Sequence, residues 1–113
     1  MIRVIVSYPN QAGARFDLDY YLTKHMPMVA EKLGSSLAGW SAEQGIGAGT
    51  PGTPAEFMIQ ATLTMVSLEA FQAAMATAGL AIMSDIKNYT DIQPHIQVNK
   101  ILGEQPARAA GVA

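Results

Sequence analysis

A chain of 113 residues, half of them apolar and 14% charged, predicts one domain with a hydrophobic core. Its formal net charge of -2 argues against a nucleic-acid partner, because such proteins carry a basic surface. The absence of cysteine excludes disulfides, thiolate metal sites and cysteine nucleophiles. The apolar run in residues 2–8 is short for a signal peptide, and no apolar run reaches the ~18 residues of a membrane span. We therefore expect a cytoplasmic protein without a membrane partner.

The first third of the chain predicts a strand followed by an irregular helix. Residues 2–8 are rich in Ile and Val and stop at Pro9, as a buried strand does. Asp17 is a favoured N-cap, and Gly34 a favoured C-terminal stop. Between them an apolar stripe recurs at helical spacing at Leu18, Leu22, His25, Met26, Val29 and Leu33. Pro27 falls inside this stripe and costs about 3 kcal/mol in a helix interior, so we expect a kink or break at residues 23–27.

The rest of the chain predicts three strands and further helix. A weaker strand surrounds Trp40 in residues 37–47, and a Gly- and Pro-rich loop follows in residues 45–54. Apolar and polar residues alternate from Phe57 to Met65, which is the clearest strand pattern. Ser67 is predicted to cap a helix that Gly79 interrupts, with a second short helix through residues 80–86. A loop in residues 89–94 precedes a last strand with Ile96, Val98 and Ile101.

This order of elements predicts an α+β fold of the ferredoxin-like βαββαβ type with an antiparallel sheet. We assign the domain to residues 1–102 and treat the Ala- and Gly-rich residues 103–113 as a tail. The helices can cover only one face of the sheet. The other face would carry Met58, Gln60, Thr62 and Thr64 with few charges, so we expect two copies to pair through it as a homodimer. The alternative is a monomer with a polar outer face.

Three groups of residues give the chain a family resemblance. They are Tyr8-Pro9, then Phe16-Asp17-Leu18-Asp19-Tyr20-Tyr21 with His25-Met26-Pro27, and finally Tyr89-Thr90-Asp91 with Pro94 and Gln97. In these residues the chain resembles the EthD family, within the dimeric α+β barrel superfamily. The resemblance implies a protomer that pairs sheet to sheet and a cleft between the sheet and the first helix. It also implies a link to small-molecule catabolism, since family relatives are associated with ether degradation beside a cytochrome P450 oxidoreductase system. Related barrels include lactone isomerases, polyketide dehydratases and cofactor-free monooxygenases, and distant ones bind haem.

His25 is the strongest candidate for chemistry in the chain. It lies on the apolar stripe of the first helix, so it is expected to point toward the sheet. An imidazole with an ordinary pKa near 6.5 can serve as a general base or polarise a carbonyl. The alternative interpretation is a buried histidine that satisfies a carbonyl freed beside Pro27.

Five further residues are candidates for substrate binding. Tyr21 stands four residues before His25 and could donate a hydrogen bond to a substrate oxygen, or only cover the edge of the core. Tyr8 ends the first strand, and Trp40 either lines a pocket or belongs to the core. Asp91 could orient a histidine or simply form a turn. Gln97 could fix a ligand or satisfy a buried neighbour.

These candidates favour an enzyme that moves a proton on a hydrophobic oxygenated molecule, without a motif-bound cofactor. No phosphate loop, dinucleotide fingerprint or nucleophile elbow is present in the sequence. Metal binding is not predicted, because the two histidines are far apart in the sequence and belong to no ligand cluster. Two alternatives remain open: a non-catalytic accessory protein of a degradative oxidoreductase system, and a haem-binding barrel with His25 or His95 as axial ligand.

Overall fold

The computed structural model describes residues 1–108 and contains one four-stranded antiparallel sheet. Its strands lie in the order β2-β3-β1-β4, with β1 paired to both β3 and β4. The bounds are Ile2–Pro9 for β1, Leu37–Gln44 for β2, Phe57–Met65 for β3 and His95–Lys100 for β4. Helical segments follow β1 and β3, so the predicted α+β ferredoxin-like arrangement is confirmed. The last strand stops at Lys100, so the expected extension to Ile101 is wrong.

The first helical segment consists of three parts. A short α1 (Leu18–Tyr20) leads into a π-helical turn (Tyr21–His25), and α2 (Met26–Leu33) completes the segment. The side chain of Asp17 accepts a hydrogen bond from the Tyr20 N–H at 3.0 Å, which confirms it as the N-cap. Gly34 ends α2 with a φ of 54°, a conformation that glycine adopts without strain.

The second helix, α3 (Leu68–Asp85), is continuous. The hydroxyl of Ser67 caps it by accepting from the Ala70 N–H at 3.0 Å, as predicted. The expected interruption at Gly79 is wrong. A helical glycine costs only about 1 kcal/mol relative to alanine, and the buried neighbours Ala78 and Ile82 anchor this part of the helix to the core.

Both helices pack on the same face of the sheet. Their residues Val29, Leu33 and Ile82 form one core cluster with strand residues that include Leu63 and Met65. Side chains of a strand alternate between faces, so the register fixes which residues lie on the opposite face. There Ile5 of the central strand stands beside Thr62 on one neighbour and Gln97 on the other. The prediction that the helices cover one face only is therefore confirmed.

Residues 101–108 form neither helix nor strand, although Glu104 pairs with Arg3 of β1. The predicted tail covers residues 103–113, of which 109–113 lie outside the described residues. The domain boundary at residue 102 therefore stays a prediction. No helix in residues 1–108 is long and apolar enough to cross a membrane.

Candidate active site

The π-helical turn decides which side chains of the first helical segment point toward the sheet. Here the Met26 N–H bonds to the Tyr21 carbonyl five residues back. The additional residue in the turn rotates the preceding segment by about 100° relative to α2. As a result Tyr21 and His25 are both buried, with 1% and 4% of their surface exposed. Leu22, expected on the buried stripe, is instead 48% exposed, so that expectation is wrong. The irregularity predicted at residues 23–27 is present as this turn.

His25 is hydrogen-bonded to a carboxylate from the other helix. Its Nδ1 lies 2.9 Å from Oδ2 of Asp85, the last residue of α3. The other carboxylate oxygen accepts from the Tyr20 hydroxyl at 2.6 Å and from Asn88 Nδ2 at 2.8 Å. Both oxygens of Asp85 are therefore held in place, and His25 is oriented by a fixed partner. Its hydrogen bonds go to side chains, and not to a carbonyl freed beside Pro27.

The environment favours a neutral imidazole beside an ionised carboxylate. Burial lowers the pKa of His25 below its ordinary value, although the hydrogen bond and charge of Asp85 act in the opposite direction. Burial pushes the pKa of Asp85 upward, but hydrogen bonds from Tyr20, Asn88 and His25 outweigh it and leave that pKa lowered. The neutral ring then donates from Nδ1 to Asp85, and Nε2 carries the basic lone pair.

Two buried tyrosines continue the hydrogen-bond chain from His25. The Tyr89 hydroxyl lies 3.3 Å from Nε2 of His25, and the Tyr8 hydroxyl lies 2.6 Å from that of Tyr89. Because Nε2 can only accept, Tyr89 donates to it and in turn accepts from Tyr8. Burial raises the pKa of both phenols, so both hydroxyls keep their protons near neutral pH.

Tyr21 adds a third phenol beside the histidine. Its ring stacks on His25 with 5.7 Å between centroids and 15° between planes. Burial raises the pKa of this phenol as well. Its hydroxyl makes no hydrogen bond to another side chain within residues 1–108, so it is a donor free to bind a ligand.

A cavity of about 70 Å³ lies between the helices and the sheet beside these groups. Apart from Tyr8, Tyr21 and His25, its lining is apolar, from Val4, Val6, Met26, Val29, Leu33, Ala61, Leu63, Phe71, Met75, Ile82, Met83, Ile86 and Ile96. The space accommodates a few water molecules and is well below the roughly 300–1,000 Å³ of most ligand pockets. A larger molecule therefore requires side chains to move.

Three of the predicted binding residues lie away from this cavity. Trp40 is on the edge strand β2 opposite Leu63, with 40% of its surface exposed. Gln97 is exposed on β4 and donates to Asn99 at 2.8 Å. Asp91 accepts from the Arg15 backbone N–H at 3.0 Å, so the carboxylate that orients His25 is Asp85 and not Asp91.

Sequence reasoning left out two members of the hydrogen-bond chain, Asp85 and Tyr89. Asp85 lies 60 residues from His25, and only the packing of α3 brings the two together. Tyr89 is wholly buried and stands within the family motif Tyr89-Thr90-Asp91, which was the available signal for it. Within residues 1–108 no group of three or more His, Asp or Glu side chains is arranged to hold a metal ion.

Comparison with known proteins gives a consistent family match. The EthD domain matches residues 13–93 of this chain. An EthD-like protein from Ralstonia eutropha JMP134 is 42% identical, with 95% of this chain and 96% of that chain covered and a TM-score of 0.88. An EthD family protein from Bacillus halodurans C-125 is 19% identical over 90% and 99% of the two chains, with a TM-score of 0.69. A dimeric ferredoxin-like protein from an uncultured marine organism shares the fold at 10% identity over 94% and 98%, with a TM-score of 0.54. No curated protein matches the chain.

Proposed function

Because the chain belongs to the EthD family, we propose that it is a small homodimeric enzyme that moves a proton on a hydrophobic oxygenated molecule. His25 is the base in this proposal, and no motif-bound cofactor takes part. One observation carries it: His25, held by Asp85 and with its pKa lowered by burial, stands in the wall of a largely apolar cavity. We place the enzyme in the cytoplasm.

The chemistry that suits this arrangement is proton abstraction next to a carbonyl or phenol oxygen. A base whose pKa lies near or below neutrality is unprotonated at pH 7 and ready to accept. When His25 becomes an imidazolium, the carboxylate of Asp85 stabilises its charge at 2.9 Å. The Tyr21 hydroxyl can donate to the substrate oxygen on which negative charge develops. Isomerisation, dehydration and cofactor-independent oxygenation all contain such a step.

The lining of the cavity favours a neutral substrate. It contains no lysine or arginine, so an anionic group would lose its hydration without gaining a cationic partner. Two lining residues, Met83 and Ile96, are 38% and 46% exposed and mark the side nearest solvent. The unbranched side chain of Met83 can adopt other rotamers, which offers a route for enlarging the small cavity.

The homodimer in this proposal forms through the outer face of the sheet. Ile5, Thr62 and Thr64 occupy the middle of that face, which the helices leave uncovered in the protomer. Burying an apolar residue at the centre of a central strand stabilises a self-complementary two-fold interface. A ferredoxin-like protein with this fold is dimeric, which supports the proposal that two copies of this chain associate.

The proposal is tested by incubating the protein alone with a panel of neutral phenols, lactones and quinones and measuring consumption. His25→Gln should lower turnover by about 10²–10⁴-fold, the usual effect of losing a general base. His95→Gln is the matched control, since His95 is exposed and does not line the cavity. Undiminished turnover by His25→Gln would contradict the assignment of His25.

The second candidate is a non-catalytic ligand-binding or accessory protein of a degradative oxidoreductase system. The small volume of the cavity favours it, because about 70 Å³ holds no sizeable substrate without rearrangement. Binding of a panel compound without consumption would support this candidate. The haem-binding alternative has less support: both ring nitrogens of His25 are hydrogen-bonded, and the cavity is far smaller than a porphyrin. A titration with haem that gives no Soret band would remove it.

A further inference from the structure

We propose that the substrate proton reaches His25 through Tyr8 and Tyr89, so that Tyr8 is the catalytic residue that meets the reacting proton. This inference rests on the proposed proton-transfer function and assigns the route of the proton within it. His25 remains the final acceptor, and Tyr89 is an internal relay residue.

The position of Tyr89 carries the inference. Its hydroxyl lies 3.3 Å from Nε2 of His25, on the nitrogen that bears the basic lone pair. Tyr89 is wholly buried and is not part of the cavity lining. A substrate in the cavity therefore finds the lone pair of His25 already occupied. Tyr8, in contrast, lines the cavity and lies 2.6 Å from the Tyr89 hydroxyl.

The direction of the hydrogen bonds suits a relay. A neutral His25 that donates from Nδ1 to Asp85 accepts at Nε2 from Tyr89. Tyr89 then accepts from Tyr8, whose oxygen keeps a lone pair for the proton of a bound molecule. All the donors in this chain point the same way, from the cavity toward His25.

The step balances without an oxidant or reductant. A C–H bond next to the substrate carbonyl breaks, and its electron pair stays on the substrate as an enolate. The proton forms a new O–H bond on Tyr8, the original Tyr8 proton moves to Tyr89, and the original Tyr89 proton forms the N–H bond at Nε2. His25 becomes an imidazolium beside the Asp85 carboxylate, and the reverse sequence returns a proton to the substrate.

The surroundings keep the relay aligned and neutral. The Tyr89 ring lies 4.6 Å from the His25 ring and 5.1 Å from the Tyr21 ring, measured between centroids. Buried aromatic packing of this kind restricts the ring to one orientation. Burial raises the pKa of Tyr8 and of Tyr89, so both phenols pass protons on while resting in the protonated form.

The experiment measures exchange of the α-protons of acetophenone for deuterium in D₂O, followed by proton NMR. This probe is neutral and aromatic and has one carbonyl oxygen. Wild-type protein should accelerate the exchange, and Tyr89→Phe should reduce the enzymatic rate by about 100-fold or more, toward that of His25→Gln. Thr90→Val is the matched control. It removes a buried hydroxyl that is hydrogen-bonded to Arg15, outside the relay, and should keep the wild-type rate.

A pH profile separates a relay from a merely structural role. The wild-type exchange rate should rise as His25 loses its proton and then level off, because only the neutral ring accepts. The exchange rate that remains in Tyr89→Phe should not change with pH over the same range. If Tyr89→Phe does not fold, Tyr8→Phe tests the same route from the cavity end.

The outcomes distinguish this inference from the function on which it rests. A wild-type rate in Tyr89→Phe or Tyr8→Phe, with loss in His25→Gln, overturns the relay and leaves His25 as a base that meets the substrate directly. No acceleration by the wild-type protein overturns proton transfer on neutral carbonyls, and the relay with it.

Discussion

The two faces of the sheet differ in what they contain, although the same strands build both. On β3, Ile59 and Ala61 are buried on the helix-covered face, whereas Gln60 and Thr62, which alternate with them, lie on the outer face. The covered face also holds the polar chain that ends at Tyr8. The difference shows where chemistry is feasible in this domain. Hydrogen bonds and interactions between charges are stronger where the helices exclude water. The outer face is instead available for contact with another protein surface.

Each polar side chain in the series from Asp85 through His25 and Tyr89 to Tyr8 is hydrogen-bonded to the next. Within residues 1–108 no side-chain nitrogen or oxygen that is itself fully buried lacks a hydrogen-bond partner. An unmatched group there would cost roughly 1–3 kcal/mol, so such a chain is stable only when complete. The candidate site is thus also part of what holds the two helices to the sheet.

The largest effect is expected for a charge placed at the centre of the outer face. Ile5→Arg puts two like charges near each other across a two-fold interface, which costs several kcal/mol, roughly enough to prevent association. Sedimentation velocity should show a dimer for the wild type and a monomer for this variant. Leu80→Arg is the matched control, because Leu80 is 83% exposed on α3 and should leave the dimer intact. A monomeric wild type would contradict the pairing.

A smaller effect, on the free energy of unfolding, is expected from truncating Met65 and Thr64, which are adjacent on β3 and face opposite sides of the sheet. Met65 is fully buried, so Met65→Ala should destabilise the protein by about 2–5 kcal/mol through lost burial and a cavity. Thr64→Ala removes a smaller side chain from the outer face, so it should change the free energy of unfolding by only about 1 kcal/mol or less. Urea denaturation at one fixed protomer concentration measures both. Equal losses would show that the two faces are equally buried in solution.

The sequence predicts the features of the two sheet faces that depend on residues close together in the chain, and it misses those that depend on longer-range structure. The alternation from Phe57 to Met65, the cap at Asp17 and the βαββαβ order depend on neighbouring residues, and all were predicted. The exposure of Leu22 was not, because one extra residue in a π-helical turn changes the facing of every residue before it.

Of the candidate site, the sequence predicted His25, Tyr8 and Tyr21, but not the other members of the hydrogen-bond chain. The stripe and Pro27 pointed to a buried His25, and Tyr8 and Tyr21 do lie beside it. The pairing with Asp85 depends on how the end of α3 packs, which no local pattern encodes. Trp40 and Gln97 were chosen by residue type, and residue type does not indicate distance from the cavity.

The smallest expected effect is a pH dependence of the free energy of unfolding, which arises from His25 on the covered face. The folded-state pKa of His25 lies below its unfolded value, so the unfolded chain binds more protons as pH falls below about 6.5. Stability should therefore decrease from pH 7.5 to pH 5.5, with a slope of at most about 1.4 kcal/mol per pH unit for one proton. The lowered pKa of Asp85 acts in the same direction only below about pH 4, outside this window.

The measurement is denaturation at several pH values in the wild type and in His25→Gln. The difference in stability between the two should shrink as pH falls through this window, because only the wild type loses stability through His25. A constant difference would show that the pKa of His25 is the same in the folded and unfolded states.

The most direct test of the account is the protonation state of His25 in ¹⁵N-labelled wild-type protein, read from two-bond ¹H–¹⁵N correlations at pH 7. We predict a neutral ring with its proton on Nδ1, toward Asp85, and an unprotonated Nε2 that accepts from Tyr89. An imidazolium at pH 7, or a proton on Nε2, would leave no basic nitrogen facing Tyr89 and would contradict the assignment of His25 as the base.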